Sequence, residues 1–80
     1  MGCEYARSFY AGVILIGANL KGSDLTGTEL PGANPTKADL RTANLTGADL
    51  SNADCTGANF FTANLTNAGL QGANLTNAEL

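Results

Sequence analysis

Large apolar side chains recur at every fifth residue along this chain. Most of them are leucine, and the exceptions are Tyr5, Tyr10, Pro35, Cys55 and Phe60. A small residue, always alanine from position 33 onward, lies two residues before each large one, and the residue between the two is polar in most units, usually asparagine or aspartate. The order small, polar, large is the inward, outward, inward period of a short β-strand. An α-helix would need apolar spacings of three and four, which the pattern lacks.

The other two residues of each unit predict a corner. The second of them is often glycine, as at Gly22, Gly27 and Gly47. Glycine adopts backbone conformations that other residues avoid, which suits it to turns. Each unit is therefore expected to form about three residues of strand and a two-residue corner. A chain that turns the same way at every fifth residue must coil, and successive coils are expected roughly 4.8 Å apart.

The first corner residue indicates how many sides each coil has. It is threonine in every second unit from Thr26 to Thr76. The intervening units carry other residues, namely Lys21, Pro31, Arg41, Ser51, Phe61 and Gln71. A coil with an even number of sides stacks the threonines into columns on opposite corners, whereas a three-sided coil scrambles them. Four sides, with twenty residues per coil, predict about four coils and a prism roughly 19 Å tall.

Three consecutive units, 38–42, 43–47 and 48–52, resemble the pentapeptide repeat family. That family's pattern is alanine, then aspartate or asparagine, then leucine and two variable residues. The resemblance is strong over 18–80 and weak over 3–17, and the regular units are similar to those of many cyanobacterial proteins. It implies an all-β fold, a right-handed quadrilateral parallel β-helix, and the handedness rests on the resemblance alone. We expect one domain over 1–80, with degenerate repeats over 1–17 and regular repeats over 18–80.

Several positions depart from the repeat. Pro35 lacks a backbone N–H, so one hydrogen bond between coils should be missing there. Gly69 replaces the usual asparagine or aspartate. Tyr5, Tyr10 and the run Val13-Ile14-Leu15-Ile16 are expected to plug the first coil. The last coil ends at Leu80 without a cap, so we expect the chain to be a piece of a longer protein or its end to be covered by a partner, such as a second copy.

No catalytic, cofactor or metal site is expected. The chain has no histidine, which excludes a Ser-His-Asp triad, and its two cysteines are far apart, which argues against structural zinc. We expect both Cys3 and Cys55 to be small buried apolar side chains. The carboxylates occupy outward positions scattered over four faces, so they do not converge as acid–base catalysis requires.

Charge and hydropathy limit the partners. The net charge of -3 argues against a nucleic-acid binder, and no apolar stretch is long enough to span a membrane. A cytoplasmic location is the default expectation. Lys21, Arg41 and Phe61 are twenty residues apart and should stack in one column, which is a candidate contact surface. The threonine columns are similar to those of ice-binding proteins, but each is one residue wide at a corner, and corner geometry explains them.

The favoured function is a non-enzymatic structural scaffold or protein-interaction module with an unknown protein partner. End-to-end self-association through the uncapped C-terminal coil is a further expectation. The alternative is a DNA mimic that binds a type II topoisomerase, DNA gyrase, as some members of the pentapeptide repeat family do. The small net charge and the cations Arg7, Lys21, Lys37 and Arg41, which interrupt the acidic surface, argue against the mimic.

Overall fold

The computed structural model describes residues 11–80 as a four-sided solenoid. Parallel bridges join residues twenty apart, from Ile14–Asn34 near one end to Asn59–Glu79 at the other. Four repeats therefore complete one coil, which confirms the four-sided geometry inferred from the threonines. The expected total of about four coils depends partly on residues 1–10, which lie outside the described residues, as do Tyr5 and Tyr10 of the expected plug. Val13 and Leu15 pack against the core, but Ile14 and Ile16 are 67% and 57% exposed and do not fill the coil as expected.

The four sides of the prism are called faces A to D here. Each face is built from the small, polar and large residues of every fourth repeat. Face A comprises 23–25, 43–45 and 63–65; face B 28–30, 48–50 and 68–70; face C 13–15, 33–35, 53–55 and 73–75; and face D 18–20, 38–40, 58–60 and 78–80. Faces B and D are opposite each other, because two corners separate them in either direction around the coil.

The extended segments are shorter than the sequence pattern predicted. Within residues 11–80 there is no helix, and the β-structure consists of isolated bridges, one residue per repeat, such as Asn44 between Asp24 and Asn64. The reason is that the N–H of the small residue forms the hydrogen bond that closes the corner, so it is not available to a neighbouring coil. The N–H of Ala48, for example, donates to the carbonyl of Leu45 at 2.9 Å across the corner. The expected three-residue strand is thereby reduced to its middle residue.

Every N–H group of a regular repeat has a defined partner, as residues 43–47 show. The Ala43 N–H closes the preceding corner on Leu40, and the Asn44 N–H donates to the preceding coil. The N–H groups of Leu45 and Gly47 donate to the following coil. The Thr46 N–H donates to the side-chain Oδ1 of Asn44 at 3.1 Å. Since buried or half-buried N–H groups need partners, this arrangement explains why asparagine or aspartate recurs at the outward position.

The second residue of every described corner has a positive φ, between 58° at Asn67 and 72° at Gly72. A positive φ at this position alone is typical of type II turns, for which glycine is the preferred residue. Thr42 and Thr62 adopt it despite their branched side chains, which disfavour it. Their hydroxyl groups donate to the carbonyl of the preceding residue at 2.6 Å, which offsets part of that cost.

The inward assignment of the small and large positions is confirmed. The alanines from Ala33 to Ala58 and the large residues from Leu20 to Phe60 other than Pro35 are at most 4% exposed, and Pro35 is buried as well. Cys55 is fully buried, as expected, whereas Cys3 lies outside the described residues. In the coil that ends at residue 80 the large residues Leu65, Leu70 and Leu75 are partly exposed, and Leu80 is 70% exposed.

Pro35 interrupts the bonding between coils as expected. Leucines at the equivalent position donate to the outward residue of the next coil, as Leu40 does to the carbonyl of Asn59 at 2.8 Å. Pro35 has no N–H to donate to Asp54. The hydroxyl of Thr36 lies 3.3 Å from that carbonyl but donates its one proton to the closer Asn34 Oδ1, so the main-chain bond is not replaced.

Leu45→Asp should unfold the middle of the solenoid. Leu45 is fully buried, so aspartate there places an unpaired carboxylate in an apolar core, at a cost of at least about 3 kcal/mol. The matched control is Asn44→Asp, which adds the same charge one residue away at an exposed position. Thermal melts followed by circular dichroism should show a large loss for Leu45→Asp and little change for Asn44→Asp. Equal melting of both variants would refute the inward assignment.

Ser23→Ala should raise the free energy of unfolding by about 1 kcal/mol, because the Ser23 hydroxyl is buried and has no hydrogen-bond partner. Alanine already occupies the position one coil away, at Ala43. The reciprocal variant, Ala43→Ser, should therefore be destabilised by a similar amount. Chemical denaturation of the three proteins measures both changes. A loss of stability in Ser23→Ala would show that the hydroxyl has a stabilising role.

Candidate interaction surface

The structure places Lys21, Arg41 and Phe61 at the same corner of successive coils, between faces D and A. Main-chain hydrogen bonds hold the three corners together: the N–H of Gly22 donates to the Arg41 carbonyl at 2.9 Å, and that of Thr42 to the Phe61 carbonyl at 3.1 Å. All three side chains are exposed. We call this set the 21–41–61 column. The three residues stack as the sequence predicted, and their role in binding a partner remains a prediction.

Arg41 is held in place by Asp39, two residues earlier on face D. The Arg41 Nε and Nη2 donate to the two carboxylate oxygens of Asp39 at 2.8 and 2.7 Å. These hydrogen bonds lower the pKa of Asp39 to about 2 and raise that of Arg41, so both groups stay charged at neutral pH. A two-point contact of this kind fixes the plane of the guanidinium group.

Phe61 is the one aromatic side chain at a described corner, and it is 59% exposed. Its N–H donates to Asn59 Oδ1 at 2.9 Å, just as the N–H of Thr66 donates to Asn64 at 3.0 Å. The threonine also bonds Asn64 through its hydroxyl at 2.6 Å, which phenylalanine cannot do. The corner at Phe61 therefore forms in the same way as its neighbours, but with one hydrogen bond fewer.

The threonine side chains of the two columns form hydrogen bonds within the corners. The hydroxyl of Thr26 donates to Asp24, and those of Thr46 and Thr56 donate to Asn44 and Asp54, at 2.6 to 2.7 Å. These hydroxyls are thus engaged within their own repeats, in agreement with the expectation that corner geometry accounts for them. The same bonds from Ser51 and Thr56 lower the pKa of Asp49 and of Asp54.

Sequence reasoning missed two residues of this surface. Asp39 is the ion-pair partner of Arg41, and Lys37 occupies the corner at the other edge of face D. Both were treated as ordinary outward or corner residues. Lys37 and Arg41 lie at the two ends of the same face of one coil. The twenty-residue spacing does not bring them together, so their proximity can be recognised only once the four-sided geometry is known.

Cys55 is the one thiol within residues 11–80. It is fully buried, and burial, with a smaller effect of the Asp54 charge, raises its pKa to about 11. A thiol in that state is protonated at neutral pH and is a poor nucleophile. Among residues 11–80 no group of three or more histidine, cysteine, aspartate or glutamate side chains is placed to hold a metal ion. The described residues contain no helix of the length and hydropathy needed to cross a membrane.

Together, the twenty-residue coil, the inward alanine and leucine and the outward asparagine or aspartate define a pentapeptide repeat solenoid. The family model for pentapeptide repeats matches residues 11–47 and 43–80, with eight copies. The chain belongs to the pentapeptide repeat family. Solved members of that family imply that the quadrilateral β-helix is right-handed.

Two solved structures are similar to this chain. One is a pentapeptide repeat protein from the thylakoid lumen of Arabidopsis thaliana, with 40% identity and a TM-score of 0.93; the match covers 98% of this chain and 54% of that protein. The other is a pentapeptide repeat protein from the cyanobacterium Nostoc PCC 7120, with 39% identity and a TM-score of 0.57, covering 90% and 64%. The chain thus spans about half to two thirds of their lengths. A search of curated proteins finds no significant match.

Asp39→Asn should flatten part of the dependence of stability on pH. The pKa of Asp39 is about 2 in the folded protein and 3.8 without its partners, so its contribution to stability is present above about pH 4 and is lost as the pH falls toward 2. Asparagine keeps the oxygen that accepts the Arg41 N–H but removes the ion pair. The variant should melt below the parent at neutral pH, and the difference should vanish near pH 2. A difference in melting temperature that is constant with pH would show that the charge does not stabilise the fold.

Proposed function

We propose that the chain is a non-catalytic protein-interaction module that presents the 21–41–61 column to a protein partner. The observation that carries the proposal is the exposure of Phe61 beside two cations. Aromatic and arginine side chains together are enriched among the residues that contribute most to protein–protein binding. A non-catalytic role is also typical of pentapeptide repeat folds.

The fold itself does not require phenylalanine at position 61. The corner N–H is satisfied by Asn59, and most other described repeats use a polar or small residue at that position. A large exposed aromatic side chain loses the apolar burial that would stabilise it and gives up the hydroxyl bond that threonine makes. Its position beside Lys21 and Arg41, rather than its exposure alone, makes it a candidate contact residue, because singly exposed apolar side chains are common on soluble proteins. Burial against a partner would recover the lost contribution.

The rigidity of the prism also favours a binding role. The main chain around Arg41 is bonded to the coils on both sides, and the Arg41 side chain is fixed by Asp39. A surface that is ordered before binding loses less conformational entropy when its partner arrives. A scaffold of this kind needs no rearrangement in order to present the column.

DNA mimicry, the alternative considered for the sequence, has less support. The carboxylates of residues 11–80 are divided among the faces, with no more than two on any one: Asp24 on face A, Glu29 and Asp49 on face B, Asp54 on face C, and Asp39 and Glu79 on face D. A mimic of duplex DNA needs continuous rows of negative charge. A supercoiling assay with purified DNA gyrase discriminates the two functions, since inhibition at low micromolar protein would favour the mimic.

A photo-crosslinking amino acid at position 61 tests the interaction module. With p-benzoylphenylalanine at position 61, we expect an adduct with a protein in an extract of the organism that encodes the chain. The same group at position 71, on the opposite corner, should give none. Unlabelled parent protein should compete for the adduct, and Phe61→Ser should not. Equal adducts from positions 61 and 71, or competition by Phe61→Ser, would contradict the proposal.

A further inference from the structure

The cations of the described residues all lie around one side of the prism. Lys37 is on the corner where the chain enters face D, and Arg41 and Lys21 are on the corner where it leaves. Face D itself carries Asp39 and Glu79. Within residues 11–80, faces A, B and C carry no cation. Together they hold four carboxylates, which are Asp24, Glu29, Asp49 and Asp54. The protein is acidic as a whole, but face D with its two corners has a net positive charge.

The cations on this side differ in how freely they can meet a ligand. Arg41 is engaged by Asp39 through two of its nitrogens. Within residues 11–80 the ion pair between Arg41 and Asp39 is the only one, so Lys21 and Lys37 have no carboxylate at ion-pair distance. The Lys37 stem lies over the next coil, with its Cγ 3.3 Å from where a Cβ on Gly57 would be. Two exposed ammonium groups therefore flank a fixed guanidinium group.

The dimensions of this surface match a short extended segment. Lys37 and Arg41 are four residues apart along one side of a coil, which spans at most about 13 Å. Lys21 and Phe61 lie one coil away from Arg41 on either side, at about 4.8 Å per coil. A partner segment of four or five extended residues, at about 3.3 Å per residue, covers the width of the face. Alternate side chains of such a segment point the same way, so two carboxylates can reach the cations together.

We infer that face D and its two corners bind an acidic, extended protein segment whose carboxylates meet Lys21, Lys37 and Arg41 and whose apolar side chain packs on Phe61. This inference rests on the proposed function and names its class of partner. Charge complementarity selects a short acidic segment over a nucleic acid. A short segment can place its carboxylates at the two corners, away from Asp39 and Glu79 on face D, whereas a long polyanion would also pass Asp24 on face A and Asp54 on face C, which repel it.

A labelled peptide tests the inference directly. The probe is a fluorescein-labelled eight-residue peptide with glutamates on both sides of one phenylalanine, and binding to the full chain is followed by fluorescence anisotropy. We expect binding at about 20 mM salt that weakens strongly at about 0.5 M salt, as contacts between exposed charges do. Replacing both lysines (Lys21→Gln with Lys37→Gln) should lower the affinity about fivefold to tenfold, since each exposed ion pair contributes modestly.

A matched control has the same change in net charge on the opposite side of the prism. Asn67→Asp with Gln71→Glu also makes the protein more negative by two charges, at the two corners that flank face B. It should change the affinity by less than about twofold, because these positions lie far from face D and are screened. Melting curves of both double variants should match that of the parent, so that a loss of binding is not a loss of fold.

Three results would overturn the inference. Equal weakening by the two double variants would show that only net charge matters. Equal affinity for a peptide with lysine in place of glutamate would exclude recognition of acidic groups. Equal affinity for a single-stranded oligonucleotide of the same length would assign the face to nucleic acid. If the peptide fails while the adduct at position 61 still forms, the interaction module stands and only the acidic class is wrong.

Discussion

Main-chain hydrogen bonding between residues twenty positions apart is the constraint on which this structure depends. Three of the five N–H groups in a repeat bond to a neighbouring coil, and a fourth closes the corner. The fifth, at the first corner residue, reaches no other main chain and is satisfied by the outward asparagine or aspartate where one is present. Glu29 supports this reading, because it is followed at the corner by Pro31, which has no N–H to satisfy. At Gly69 no side chain is available to Gln71, and the corner still closes, with the Ala73 N–H donating to Leu70 at 3.0 Å. The residue preferences of the repeat therefore reflect backbone hydrogen bonding as well as core packing.

The sequence predicts most of this fold because period and burial are tightly linked in a solenoid. The inward positions and the four sides could be read from the leucines and from the alternating threonines. Handedness could not, since the spacing of residues is the same in either hand, and it came from the family. The single-residue bridges were also missed. The pattern of small, polar and large residues shows which way side chains point, but it does not show that the Ala48 N–H is used by the corner.

The candidate surface was only half visible in the sequence. A spacing of twenty residues brings Lys21, Arg41 and Phe61 together. Lys37 lies across face D from them, and Asp39 contacts Arg41 through a side-chain ion pair, and neither relation follows from that spacing. A catalytic site can be recognised in a sequence because particular residue types, such as an acid and a base, must lie close together. An interaction surface has no such requirement, so it must be found from exposure and charge on the folded prism. The concentration of cations on one side of an acidic protein is a property of that geometry.

The twenty-residue coil is tested most directly by nuclear Overhauser contacts in solution. The account predicts cross-peaks between the main-chain protons of Asn44 and those of the residues around Asp24 and Asn64, and the same separation at every face of the prism. Contacts at fifteen residues would indicate a three-sided coil. A spectrum in which Asn44 has no contacts at either separation would contradict the solenoid and, with it, the surface built on face D.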